Sequence, residues 1–251
     1  MAQLAKEHEM RGKPLFRLVL SLALLTAAAL DSRGGGQVFL PRNSALLQGC
    51  LSGSEVSTAL RTLSFGTYEE QQKAVALLRA DAHRAVACRK QVITSLMLVM
   101  DQPRLDLTGG TPQFFLWHYG TRLLGDLRAT EALDLLIANF DLHDGSGFPF
   151  NHYPALGGVI NMGEIALPKL QIVLKQHPDR YTRRYAVFCI ALIGGRSANQ
   201  ILRQALEREA DPCVASCIQA SLTAFNNKRR PYHVSDEKRT TWYTTFLCNG
   251  E

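Results

Sequence analysis

The sequence predicts an all-α protein, an α-solenoid of stacked antiparallel helix pairs over residues 53–226. Three observations predict it. First, no stretch of useful length alternates apolar and polar residues with the period of two that a half-buried strand requires. Second, three segments align on a glycine: Leu124-Gly125-Asp126, Met162-Gly163-Glu164 and Ile193-Gly194-Gly195, separated by 38 and 31 residues. A unit of that length marks a solenoid, because each unit buries its apolar face only against its neighbours. Third, helix starts are marked. Thr111-Pro112 and Asp211-Pro212 each place a capping residue before a proline at the first helical position.

At the N-terminus, Arg11, Lys13 and Arg17 precede the uncharged run LVLSLALLTAAAL of residues 18–30. Ala27 and Ala29 have the spacing of a small-residue cleavage site. That order reads as a secretory signal peptide over residues 1–30. The run is short for a bilayer span, which takes about 20 apolar residues. An uncleaved membrane anchor and a buried helix are the alternatives. Contact with a membrane is expected only through this segment. The chain is expected to be exported, to the periplasm or beyond the cell. Residues 31–52 read as a linker, with Gly34, Gly35, Gly36, Pro41 and Asn43 breaking regular structure. Leu47-Gln48-Gly49-Cys50 ends like a lipobox, but no apolar run immediately precedes it.

In order, the pattern then predicts a helix pair at 53–64 and 68–81 and a long helix at 83–101. Pairs follow at 112–126/129–140, 154–163/165–176 and 182–193/197–209, and a last helix at 212–226. Columns around the aligned glycines agree. The preceding residue is apolar in each: Leu124, Met162, Ile193. The residue five before is small: Gly120, Gly158, Cys189. Small residues inside a helix cost propensity and so mark close helix approach. The second helices carry apolar stripes: Ala129, Leu133, Leu136, Ile137; then Leu167, Leu170, Val173, Leu174; then Ala198, Ile201, Leu202, Ala205, Leu206. A globular helical bundle is the alternative architecture.

Asp179, Arg183, Ala186, Leu192-Ile193-Gly194, Ala198 and Leu202, then Asp211, Val214 and Leu222, resemble the HEAT repeat in its short bacterial form, the PBS-lyase HEAT-like variety. Leu124 to Leu133 (LGDLRATEAL) resembles it too. The resemblance covers about residues 111–226; residues 53–101 fit poorly. Thr182 stands where the family usually has valine, and the middle unit is one residue short between Gly163 and Ala166. The resemblance implies a scaffold with a concave face suited to a protein partner. It also admits enzymes: phycobilin lyases, and a hydroxylase that ligates iron through His-Glu dyads. The one such dyad here is His8-Glu9, ahead of the apolar run. The family also includes glycosylases that grip DNA.

The chain carries a formal charge of +6; the first 29 residues hold four basic and two acidic residues, leaving +4 on the rest. That is weak for nucleic acid, and none is expected as a partner. Six cysteines follow the apolar run: Cys50, Cys88, Cys189, Cys213, Cys217 and Cys248. Their spacing matches no metal motif. Cys189 and Cys217 read as small core residues. Cys213 and Cys217 share a helix face, a geometry that does not favour joining them. A Cys50–Cys88 bridge and a bridge to Cys248 both remain open.

The most unusual segment is DLHDGSGFPFNHYP at 141–154, long for a helix–helix connection. Loops on a rigid scaffold often carry function. His143, Asp144, Phe148, Phe150, His152 and Tyr153, with Trp117 of the aromatic run FFLWHYG, are the candidate partner-binding residues. The alternative is that the phenylalanines staple the loop to the helices. The two histidines and Asp144 have ligand chemistry, so a metal-binding or lyase-like enzyme using residues 143–152 is the competing function. No catalytic residues, metal or cofactor are expected. The tail at 227–251 interleaves Lys228-Arg229-Arg230 and Lys238-Arg239 with Tyr232, Trp242, Tyr243 and Phe246; it reads as a solvated tail that folds back on the last repeat, with binding of nucleic acid or an anionic surface as the alternative.

Overall fold

The computed structural model describes residues 49–102, 110–143 and 153–225. Contacts divide the chain into residues 1–45 and 46–251, and every described residue belongs to the second unit. The signal segment, most of the linker and the basic tail lie outside the described residues.

The described chain is helical, with no strand among the described residues. In order it forms α1 (Gly53–Phe65), α2 (Tyr68–Ala82), α3 (Val86–Met100), α4 (Pro112–Asp126), a 3-10 turn (Thr130–Ala132) leading into α5 (Leu133–Ile137), α6 (Pro154–Met162), a 3-10 turn (Gly163–Ala166) leading into α7 (Leu167–Gln176), α8 (Arg180–Ile193), α9 (Gly195–Leu206) and α10 (Pro212–Phe225). None of these helices is long and apolar enough to cross a membrane.

Local chemistry sets the helix starts. Thr111 Oγ1 accepts the Phe114 N–H at 3.2 Å, and Asp211 Oδ1 accepts the N–H groups of Cys213 and Val214 at 2.9 and 3.2 Å. Asp179 Oδ2 caps α8 through the Thr182 N–H at 2.7 Å. Ser52 with Glu55, and Thr67 with Glu70, close reciprocal capping boxes on α1 and α2. The carboxyls of these caps are held below their ordinary range. The cause is the Ser52 backbone for Glu55, the Thr67 backbone for Glu70 and the Val214 N–H for Asp211. At Asp179, burial pushes upward but the Thr182 hydrogen bonds outweigh it.

Folded values below unfolded ones mean that this stabilisation is present above the unfolded carboxylate range. It is lost as pH falls through the folded values, so the melting temperature should drop on acidification below about pH 4. Asp211→Asn keeps the cap's acceptor but should flatten part of that acid limb, which thermal melts from neutral to acid pH would show. Asp211→Ala should cost about 1 kcal/mol at neutral pH.

The helices pack in a row. α1 lies on α4, α4 on α6, α6 on α8 and α8 on α10. Of the intervening helices, α2 packs on α3, and α7 packs on both α8 and α9. The stripes of α5 and α7 are buried throughout, and in α9 Ala198 and Leu202 are buried while Ile201, Ala205 and Leu206 are half-buried.

The row is drawn close by small residues. A Cβ on Gly158 would lie 2.7 Å from the Thr121 carbonyl oxygen of α4, and one on Gly125 would lie 2.6 Å from the Gly158 carbonyl oxygen of α6. A Cβ on Gly120 would meet Met100 Sδ of α3 at 2.8 Å.

The aligned glycines are not structural equivalents. Gly163 (φ 70°, ψ −149°) and Gly194 (φ 69°, ψ −165°) end α6 and α8 in a conformation open essentially to glycine alone. Gly125 lies inside α4, and there the left-handed residue is Arg128, with φ 53°. The Arg128 N–H donates to Gly125 O and the Ala129 N–H to Leu124 O, both at 2.9 Å, which is a Schellman closure.

Two other expectations need correction. The helix expected at 129–140 is α-helical only over Leu133–Ile137, because Thr130–Ala132 form a 3-10 turn and backbone bonds from Asn139 onward close tight turns. The helix expected from residue 83 begins at Val86, after a turn in which Ala85 is extended and offers no side-chain cap.

Charged side chains tie neighbouring helices together. Arg89 donates to Glu131 Oε1 at 3.0 Å and to Leu127 O at 3.2 Å. Arg79 pairs with Asp126, and Lys169 with Asp134 at 2.5 Å. The most enclosed pair is Arg183–Glu209, whose side chains are only 15% and 10% exposed. Arg183 Nε and Nη2 donate to the two Glu209 oxygens, both at 3.2 Å, and its Nη1 donates to His177 O at 2.9 Å. Arg183→Met would leave the Glu209 charge largely buried with one backbone donor. It should cost about 2 kcal/mol, below the range for a fully buried pair because water still reaches the site. The double variant Arg183→Met/Glu209→Leu should recover most of that, as a double-mutant cycle would read.

The N-terminal edge is fastened covalently. Cys50 and Cys88 form a disulfide, Asp81 Oδ1 accepts the Leu51 N–H at 2.9 Å, and Gln91 donates to Leu51 O at 3.1 Å. Residues 50–52 of the expected linker therefore belong to the folded body. Cys213 is disulfide-bonded as well, whereas Cys189 and Cys217 are buried free thiols, as their core reading required.

Candidate functional site

The segment singled out in the sequence emerges between α5 and α6. Asp144, Phe148, Phe150 and His152 lie outside the described residues; His143 and Tyr153, its two described ends, stand together. Their rings are 5.3 Å apart. Tyr153 packs at 5.9 Å against Tyr185 of α8, and Tyr185 packs edge-on at 6.2 Å against the buried Phe140. Both ends of the loop are thus seated on one helix of the row. Burial first, then the neighbouring Tyr153 and Asp141, raises the Tyr185 phenol well above its ordinary value. It stays neutral at every physiological pH, as a hydrogen-bonding wedge should. His143 is exposed and Tyr153 half-buried.

Trp117 does not join this surface. It is 1% exposed, and its Nε1–H has no hydrogen-bond partner among the described residues. The reason is the position of α4, which packs against α1, α2, α3 and α6 and is therefore buried on most sides. An aromatic run on such a helix is core, so Trp117 is not available to a partner in this structure.

Beside the loop base, α8 presents a feature that the sequence reading passed over. Tyr181 is 45% exposed, with the Arg180 and Arg184 guanidiniums 5.2 and 5.5 Å from its ring centroid. The signal is the spacing in RYTRRY, which puts residues 180, 181 and 184 on adjoining positions of one helix. An exposed tyrosine flanked by two arginines combines residue types that are enriched at interfaces.

Among the described residues no group of three His, Cys, Asp or Glu side chains could hold a metal ion. Asp144 and His152 of the 143–152 segment are not among them. No family model matches the chain, and no curated protein or solved structure is significantly similar to it.

Proposed function

We propose that this protein is an exported HEAT-like α-solenoid that binds a protein partner through the concave face of its helix row or through the 141–154 loop. The observation that carries the reading is the row itself, in which α1, α4, α6, α8 and α10 each pack on the next. Stacking of that kind leaves an extended surface built from many helices, suited to a partner larger than a metabolite. The loop supports the same reading. Its described ends meet on α8 through Tyr153 and Tyr185, which gives the segment a fixed base. Export is supported by the order of charge, apolar run and small residues at the N-terminus, and by the Cys50–Cys88 bridge, a bond that persists in oxidising compartments.

The test is crosslinked affinity capture with the full chain, beside a variant in which residues 144–152 become Gly/Ser while His143 and Tyr153 stay. A distinct protein recovered with the native loop and lost with its replacement is the expected result. Recovery of no distinct protein by the native chain would end the proposal.

A further inference from the structure

A cleft of about 260 Å³ lies between the C-terminal ends of α7 and α9. Its back wall is the Arg183–Glu209 clamp. Glu209 Oε1 also accepts the Asp211 N–H at 3.0 Å, so the one carboxylate lining the cleft is fully occupied. The floor is apolar: Leu174 is buried, and Ile201 and Ala205 are half-buried. On the rim stand Lys175 and Arg208, both exposed. Neither makes an ion pair among the described residues.

Cations near helix C-termini complement the helix dipole. That explains one such residue at each helix end. It does not explain why both line a single cleft over an apolar floor, and the partial charge of a helix end is smaller than a full cation. The cleft therefore keeps a net positive rim. Its volume is below the roughly 300–1,000 Å³ of a site that engulfs a small molecule, so it takes side chains from something larger. A carboxylate suits the planar fork of Arg208, and an aliphatic side chain suits Leu174 and Ala205.

We propose that this cleft docks an acidic segment of the partner polypeptide, an apolar side chain seated on Leu174 and Ala205 and flanking carboxylates meeting Lys175 and Arg208. The inference rests on the protein-binding reading above and gives that partner a chemistry.

The probe is a random-peptide library displayed on phage and selected against the full chain. The selected peptides should be enriched in Asp and Glu beside an apolar residue. Their affinity should weaken with added salt and fall about tenfold or more for Lys175→Glu/Arg208→Glu. Both side chains are exposed, and an unchanged melting temperature would show that the fold survives. Should that variant unfold, Lys175→Gln/Arg208→Gln should show a smaller loss in the same direction. Failure to enrich acidic peptides, or equal affinity for the charge-reversed variant, overturns the cleft while leaving loop-dependent capture as a separate reading. Displacement by inorganic phosphate at an ionic strength where sodium chloride has no effect reassigns the cleft to a small anion, and overturns the peptide as well.

Discussion

Replacing both Cys50 and Cys88 with alanine should lower the unfolding free energy by about 4 kcal/mol, the chain-entropy value for a closed loop of this size. The two residues are 38 apart, and the loop between them contains all of α1 and α2. The bridge acts mainly on the unfolded chain, by denying it conformations in which the N-terminal pair drifts from α3. The hydrogen bonds around Leu51 act on the folded state. Asp81 is fully buried there, and its second oxygen has no hydrogen-bond partner among the described residues, so this contact is a poor substitute for the covalent one. Alanine is preferred to serine because Cys88 is buried, and a serine hydroxyl there would need a hydrogen-bond partner. For a chain of this size the loss corresponds to a fall in melting temperature on the order of 10 °C. The double variant is a cleaner test than a reductant, which would also attack the bond at Cys213. A loss under about 1 kcal/mol would mean that the unfolded chain already holds these ends together.

Much of the helical frame was legible in the sequence because its signals are local. Thr111-Pro112 and Asp211-Pro212 begin helices at Pro112 and Pro212, and the stripe from Leu167 to Leu174 is buried as its spacing requires. Ser52-x-x-Glu55 and Thr67-x-x-Glu70 are equally local and equally readable, and both form capping boxes. What depended on tertiary context was not legible. A glycine in one alignment column ends a helix at positions 163 and 194 but admits a neighbouring helix at position 125, and sequence spacing cannot separate the two uses. Trp117, offered as a partner-binding residue, could not be recognised as core, because the helices packed around α4 are α1, α2, α3 and α6. The charged cleft was out of reach for the same reason. Lys175 and Arg208 are far apart in the chain and meet only because α7 and α9 end side by side.

The α4–α6 crossing supplies the second large effect, and two adjacent residues provide opposite signs. Gly158→Ala should destabilise by about 3 kcal/mol, at the upper end of the range for overpacking. The new methyl would lie 2.7 Å from Thr121 O and 3.0 Å from Thr121 Cβ, and a backbone oxygen cannot rotate aside as a flexible side chain would. Relief requires α4 and α6 to separate, which loosens the most extensive helix contact in the row. Gly125→Ala should behave alike, since its Cβ would meet the Gly158 oxygen from the other side at 2.6 Å. Gly157 is the internal control. It occupies the same helix, with nothing within 4 Å of the position its Cβ would take. Alanine there should stabilise by up to about 1 kcal/mol through helix propensity alone. Urea titrations of the three variants would decide the matter. If Gly157→Ala and Gly158→Ala shifted the midpoint in the same direction, the close crossing would not be what the glycines are for, and the packing of the row would need another explanation.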